Sequence, residues 1–476
     1  MMNDNNHIVS FLKKLSAGNG EGSSVYFLGI GGIGMSAIAR YFNSRGVSVT
    51  GYDKTETVLT KQLQLEGINV HYEDNVELID KESLFVVYTP AVPKDHKEYN
   101  FFLDNGYSVL KRSEVLGMIT NSSFNICVAG THGKTTTSTM IAHILRHSDY
   151  GCNAFLGGIA TNYETNFWSS SKNVCVVEAD EYDRSFLRLS PDVAIITAMD
   201  PDHLDIYGTA EIFCEAFVDF SAKVKEGGLL ISKYGLEKTN EFKSTVKITY
   251  SLDDTNADCY ARNIQMQNGS YRFDVKIKEE VIENIVLHMG GMHNIENAIA
   301  SVTVAKHLGL SDDKIVNAVA DFKGVKRRFE YVIKNDALVM IDDYAHHPQE
   351  LTALINGAKG LFPEKKCTVV FQPHLYSRTR DFADGFAKAL NLADEVYLLP
   401  IYPAREKPMQ GVESSMVAAM MVQQKTTCCT KEKLMERIRE KESKGEIEML
   451  ITAGAGDIDT MVLPLKNIFE KVIINK

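Results

Sequence analysis

Short apolar runs of about five to seven residues recur along the chain, each followed by a Gly-rich or polar turn and then by apolar positions spaced three or four apart. The first group is SVYFLGIGGIGMSAIARYF from Ser24, with VSVTGYD and SLFVVYTPAV after it. The second begins at Phe124 and includes NVCVVEADEYD and DVAIITAMDPDHLD. The third follows KGVKRRFE and contains ALVMIDDYAHHP, CTVVFQPHLYSRTR, EVYLLPIYPAREKP and IEMLITAGAGD. Uninterrupted apolar strands between helical stretches predict an α/β chain of parallel sheets with helices on both faces. Boundaries fall near 122 and 328, giving domains 1–122, 123–328 and 329–476. Residues 240–290 are β-rich and charged, which predicts a small antiparallel excursion of the middle domain. The Asn/Ser/Gly content of residues 1–20 suggests a mobile start.

Bulk composition narrows the function. A chain of 476 residues exceeds one core and predicts two or three domains. The net charge of −11 argues against nucleic-acid binding, because no basic cluster is present to displace phosphate counterions. No apolar stretch approaches the roughly 20 residues that span a bilayer, so no membrane insertion is expected. The start MMNDNNHIVSFLKKL lacks the pattern of a signal peptide. The eight cysteines are scattered without a C-x-x-C pair, which predicts reduced, structural thiols in a cytoplasmic protein.

The chemistry concentrates first at FNICVAGTHGKTTTST, where a buried strand delivers the chain to Gly130 and Gly133. Bare backbone N–H groups there can cradle an anion, Lys134 can reach outer phosphates, and the Thr135 hydroxyl can ligate a phosphate-bound Mg²⁺. Gly29, Gly31 and Gly34 also follow a strand, with Asp53 closing the next one, which is the dinucleotide fingerprint. The pyrophosphate logic is general, so a UDP-sugar satisfies this loop as well as a nicotinamide cofactor does. Glu178 ends an apolar strand and opens the acidic cluster Glu178, Asp180, Glu181 and Asp183; it is a candidate Mg²⁺ ligand, while Asp183 reads as solvated loop. A lone His is usually structural, but His203 stands at another strand end beside Asp200, Asp202 and Asp205. His293, Asn294 and Asn297 can meet an adenine edge, although Asn at a helix start is more often a cap. Arg327 and Arg328 lie at a domain junction, and one of them is expected to serve phosphate.

Taken in order, GIGGIGMSAIA, GTHGKTTT, VVEADE, DHLD, MHNIENA, GVKRRFE, DDYAHHP and FQPHLYSRTRD resemble the Mur ligase family over nearly the whole chain. The resemblance implies an N-terminal Rossmann-like domain for a UDP-sugar, a central P-loop ATPase with a parallel sheet, and a C-terminal Rossmann-like domain for the amino acid. It implies ATP-dependent joining of L-alanine to UDP-N-acetylmuramate through an acyl phosphate, with Mg²⁺, by a monomer or homodimer; the alternative is recycling of a murein tripeptide onto the same sugar nucleotide. Carried over, Gly130, Thr131, His132, Gly133, Lys134, Thr135 and Thr136 would hold the ATP phosphates, and Thr135, Glu178 and His203 would surround Mg²⁺. His293 and Asn297 would contact adenine, Arg328 the phosphate end, and Asp342 or Asp343 the ribose. His346, His374, Arg378 and Arg380 would face the reacting carboxylate and the incoming alanine, with either histidine as the base. Gly31, Gly32, Gly34 and Asp53 would belong to the UDP-sugar site. The chain departs from the family at Tyr182, where many members have Ser, and at Leu375, where many have Arg. If that Arg normally holds the alanine carboxylate, Arg378, Arg380 or Arg405 must replace it. Val218 stands near where later ligases carry a carbamylated lysine, so that modification is not expected.

Overall fold

The apolar runs form strands in a computed structural model that describes residues 6–16, 20–121, 123–201, 204–267, 269–404, 406–421 and 426–473. The first sheet contains β1 (Ser24–Leu28), β2 (Ser48–Tyr52), β3 (Asn69–His71), β4 (Val86–Tyr88) and β5 (Val109–Lys111) in the order β3-β2-β1-β4-β5. All its pairings are parallel, and the order reverses direction at β1. Ligands of open α/β sheets sit beyond the strand C-termini at such a switch point, which is where Gly29–Gly34 follow β1.

The second sheet has ten strands: β6 (Phe124–Ala129), β7 (Asn153–Ala160), β8 (Thr165–Trp168), β9 (Val174–Glu178), β10 (Val193–Ile196), β11 (Leu229–Lys233), β12 (Val246–Ser251), β13 (Cys259–Gln267), β14 (Ser270–Ile277) and β15 (Glu280–Leu287). Their order is β15-β14-β13-β12-β11-β10-β6-β9-β7-β8. β6 lies between β10 and β9, both parallel to it, and Val128 pairs with Glu178. This register brings Glu178 to the mouth of the loop that follows β6. The excursion expected for residues 240–290 is narrower than that: β12 pairs parallel with β11 and β13, and only the short connections joining β13, β14 and β15 require antiparallel neighbours.

The third sheet contains β16 (Glu330–Lys334), β17 (Val339–Asp343), β18 (Cys367–Phe371), β19 (Glu395–Leu398), β20 (Thr426–Cys428) and β21 (Met449–Ala453). It runs β16-β17-β21-β18-β19-β20, with only the β16–β17 pairing antiparallel.

The chain divides into two compact units, Met1–Ala261 with Val275–Ile282 and Glu296–Val319, and Arg262–Asp274 with Glu283–Ile295 and Ala320–Lys476. Within the first unit one hydrophobic core crosses position 122: Tyr41 packs against Phe155 and Phe167 at ring separations of 5.6 and 6.1 Å. The N-terminus differs from expectation. Asn6–Ser16 is a helix whose Ile8, Leu12 and Leu15 are buried, and Phe11 meets Phe42 and Phe85. Apolar residues three and four apart outweigh the polar composition around them.

Candidate active site

Gly130 and Gly133 take φ of 133° and 82°, and the helix Lys134–His147 starts directly after them. A Cβ on Gly133 would lie 2.6 Å from Asn297 Oδ1, so only glycine admits this approach of the helix Met292–His307. Thr137 Oγ1 donates to the same Asn297 oxygen at 3.2 Å. Thr131 Oγ1 accepts from Asp200 N–H at 3.1 Å, and Thr197 Oγ1 donates to the carbonyl of His132. His132 is exposed and Thr136 buried. The loop is therefore fixed on both sides while its glycines stay bare.

Lys134 Nζ donates to Gly130 O at 2.6 Å and to Glu181 Oε1 at 2.7 Å. Glu181 is only 2% exposed; burial pushes its carboxyl up, and Lys134 opposes that shift. Thr135 Oγ1 donates to Glu178 Oε1 at 3.1 Å, and Gly157 N–H donates to Glu178 Oε2 at 3.1 Å. A hydroxyl and a carboxylate beside a phosphate cradle fit Mg²⁺, which takes oxygen ligands and fills its other positions with phosphate and water. Among the described residues no cluster of three or more His, Cys, Asp or Glu could hold a metal alone. His203 lies outside the described residues.

At the first loop, Gly31 N–H donates to Asp53 Oδ2 at 2.7 Å, which places the expected acid against the expected glycine. Gly32 caps the helix Ile33–Ser44 in extended conformation. At Gly34 a Cβ would lie 2.8 Å from Arg112 Nη1, so an arginine guanidinium occupies the space beside it. Arg112 Nη2 also faces Asp180 Oδ2 at 3.4 Å, and Lys111 Nζ meets Asp183 Oδ2 at 3.1 Å. The contacts of Arg112 and Glu181 are not visible in the sequence. Glu181 carried a weak signal as an acid three residues after Glu178; Arg112 carried none.

In the second unit, Arg327 Nε donates to Asp342 Oδ2 at 3.2 Å, and the same guanidinium bonds the Gly454 carbonyl. Thr452 Oγ1 donates to Asp342 Oδ1 at 2.5 Å. Asp342 is 1% exposed, and burial pushes its carboxyl up to about 7. Asp343 is half-buried and accepts from Phe329 N–H and Ala345 N–H, both at 2.7 Å. Burial raises its carboxyl to about 6, with Arg328 working against that. Both neighbouring acids therefore hold structural hydrogen bonds, and Asp342 is the more buried of the two. Arg328 lies over the Tyr344 ring at 5.5 Å.

His346 and His374 meet edge to face with ring centroids 6.2 Å apart. His346 Nδ1 lies 3.0 Å from Tyr344 O, so a donating Nδ1–H leaves the lone pair on Nε2. Burial lowers the His346 pKa; Glu350 opposes this, and Arg378 reinforces it. His374 stacks on Tyr402 at 5.9 Å. Arg380 is exposed and pairs with Asp381 at 2.8 Å. Positions 378 and 380 are on opposite faces of the short helix Tyr376–Asp381. Leu375, at the departure from the family pattern, takes φ of 67°. His293 is exposed, and Arg405 lies outside the described residues.

The first unit thus holds two glycine loops that open helices, one of them with Lys134, Thr135, Glu178 and Glu181 gathered beside it. The second offers imidazole and guanidinium beside a half-buried carboxylate. Comparison with known proteins agrees along the chain. Residues 24–123 match the Mur ligase family catalytic domain, 128–305 the Mur ligase middle domain, and 327–456 the Mur ligase glutamate ligase domain. A curated UDP-N-acetylmuramate–L-alanine ligase of Phocaeicola vulgatus is 49% identical over 456 residues, 94% of this chain and 98% of the relative. The crystal structure of UDP-N-acetylmuramate-alanine ligase from Thermotoga maritima superposes with a TM-score of 0.80 at 28% identity, covering 95% of this chain and all of that one. A murein peptide ligase from Psychrobacter arcticus shares the fold, with a TM-score of 0.65 and 22% identity over 94% of this chain and 99% of its own.

Proposed function

This chain belongs to the Mur ligase family, and we propose that its glycine loops, acids and histidines carry out the first amino-acid addition of peptidoglycan synthesis. The protein is an ATP-dependent ligase that joins L-alanine to the lactyl carboxylate of UDP-N-acetylmuramate. The observation that carries the site assignment is the phosphate loop whose Lys134 and Thr135 face Glu181 and Glu178 at the end of the neighbouring strand.

A carboxylate at neutral pH resists attack because it is anionic and would have to expel oxide. Transfer of the ATP γ-phosphoryl group to the lactyl oxygen gives an acyl phosphate, whose leaving group is phosphate. In that transfer the protein acts mostly by positioning and electrostatics. Bare N–H groups of Gly130–Gly133 hold the phosphates, and Lys134 turns from Glu181 toward the transferred group. Mg²⁺, held by Thr135 and Glu178 with His203 as a further candidate, would supply charge neutralisation between the phosphates. Asn297 and His293 are assigned to adenine, Asp343 to the ribose and Arg328 to phosphate. L-Alanine arrives as an ammonium and must lose a proton before its amine attacks. His346 is the preferred base, since its depressed pKa leaves it neutral at pH 7 with Nε2 available. Arg378 is assigned to the alanine carboxylate, in place of the arginine missing at Leu375. Gly31, Gly32, Gly34 and Asp53 are assigned to the sugar nucleotide.

No described helix is long and apolar enough to cross a membrane. We place the enzyme in the cytoplasm, in keeping with free cysteines and the use of ATP. Phosphate release from ATP tests the function, with UDP-N-acetylmuramate and each of L-alanine, glycine, L-serine and the murein tripeptide. Release that requires both the sugar nucleotide and L-alanine supports the assignment; preference for tripeptide moves the protein to recycling, and release indifferent to acceptor removes the ligase reading.

A further inference from the structure

Arg112 opens the helix Arg112–Thr120 and lies flat against the first glycine loop. A Cβ on Gly34 would stand 2.8 Å from its Nη1, 3.2 Å from its Cδ and 3.3 Å from its Cζ. The third glycine of this fingerprint ordinarily admits close helix–strand packing. Here the space it leaves is taken by a cation. The same guanidinium reaches Asp180 through Nη2, at 3.4 Å. That is long for a charge-assisted bond, which normally closes to about 2.7–2.9 Å. The side chain is 23% exposed and Asp180 is 39% exposed, so the pair is neither sealed nor tightly made.

Asp180 itself is anchored. Its Oδ1 accepts from Tyr182 N–H at 3.1 Å, and its carbonyl accepts from Phe186 N–H at 3.0 Å. The following Asp183 and Arg184 are held at φ of 51° and 54°, a conformation that persists only where surroundings fix it. The carboxylate therefore stays in place if the arginine leaves. A pyrophosphate on the glycine loop carries more charge than backbone N–H groups neutralise, and a planar guanidinium fork matches phosphate oxygens.

We propose that Arg112 binds the pyrophosphate of UDP-N-acetylmuramate, and that Asp180 holds this arginine in reserve and gives it up to the phosphate. The proposal rests on the assignment of the first glycine loop to the sugar nucleotide. It makes the two residues act with opposite sign. Removing Arg112 deletes a ligand to the phosphate, whereas neutralising Asp180 removes its competitor.

Calorimetric titration of the full chain with UDP tests this, with uridine as the ligand lacking phosphates. Arg112→Ala weakens UDP at least about tenfold and leaves uridine unchanged. Arg112→Lys loses part of that affinity, and it carries the test if the alanine variant does not fold. Asp180→Asn tightens UDP about two- to fivefold, a range typical of an exposed ion pair. The double variant binds like Arg112→Ala alone. Equal UDP binding by wild type and Arg112→Lys or Arg112→Ala overturns the proposal, and so does weakening by Asp180→Asn. Failure of the wild type to bind UDP removes the loop assignment itself and the proposal with it.

Discussion

Lys134 Nζ lies 2.7 Å from Glu181 Oε1, in a pair whose carboxylate side chain is 3% and lysine side chain 13% exposed. Removing one partner of such a pair leaves a buried charge uncompensated, so its loss is felt in stability whatever its part in chemistry. We predict that Lys134→Ala cuts turnover by roughly 10²-fold or more and lowers the melting temperature. Adding Glu181→Gln to that variant restores melting but not turnover. Thermal denaturation and phosphate release on the same preparations check both halves. Near-normal turnover of Lys134→Ala sinks the phosphate-cradle assignment.

Glu178 faces Thr135 Oγ1 with one oxygen and Gly157 N–H with the other. Glu178→Gln keeps one acceptor but removes the charge that a hard cation requires. The Mg²⁺ concentration for half-maximal rate should rise at least roughly tenfold, with turnover at saturating Mg²⁺ still reduced. An unchanged Mg²⁺ titration would show that Glu178 has no part in binding the metal.

His346 has its pKa lowered, chiefly by burial. Its base form is lost as pH falls through that pKa, so an acidic limb in kcat/KM for L-alanine is expected below pH 6.5. His346→Gln should lower kcat/KM by roughly 10²-fold and abolish that limb. A limb that survives in the variant assigns the proton to another group, with His374 next to be replaced.

The strands were legible because both faces of a parallel sheet are buried, leaving unbroken apolar runs such as Phe124–Ala129. The glycine turn between β6 and the helix Lys134–His147 was legible because its glycines, Lys134 and Thr135 are contiguous. Side-chain partners distant in sequence were not. Arg112 sits in KRSEVL, which carries no pattern of its own, and meets Gly34 and Asp180 only through folding. The different surroundings of Asp342 and Asp343 follow from strand alternation, which buries one against Thr452 and turns its neighbour the other way. Arg378 and Arg380 were likewise separated by helical rotation rather than by sequence distance. The N-terminal helix was masked by composition, although Ile8, Leu12 and Leu15 already held its spacing.

Glu98 is fully buried, accepts from Tyr26 O–H at 2.7 Å and from Asn75 N–H at 3.0 Å, and has its carboxyl pushed up to about 7 by burial. Raised above its ordinary value of 4.5, the protonated form is favoured by folding, so stability is fully present below pH 4.5 and is lost as pH rises toward 7. The change is on the order of 3 kcal/mol. Melting temperature should therefore fall between pH 5 and about pH 7.5 in the wild type, and fall less in Glu98→Gln. Parallel curves for the two proteins would show that Glu98 does not titrate in this range.

The central claim is that ATP activates the lactyl carboxylate before alanine attacks. UDP-N-acetylmuramate labelled with ¹⁸O in that carboxylate, incubated with ATP, Mg²⁺ and L-alanine, tests it through mass analysis of the released phosphate. Activation as an acyl phosphate predicts that one labelled oxygen leaves with phosphate for every amide formed. Amide formed alongside unlabelled phosphate would contradict the account.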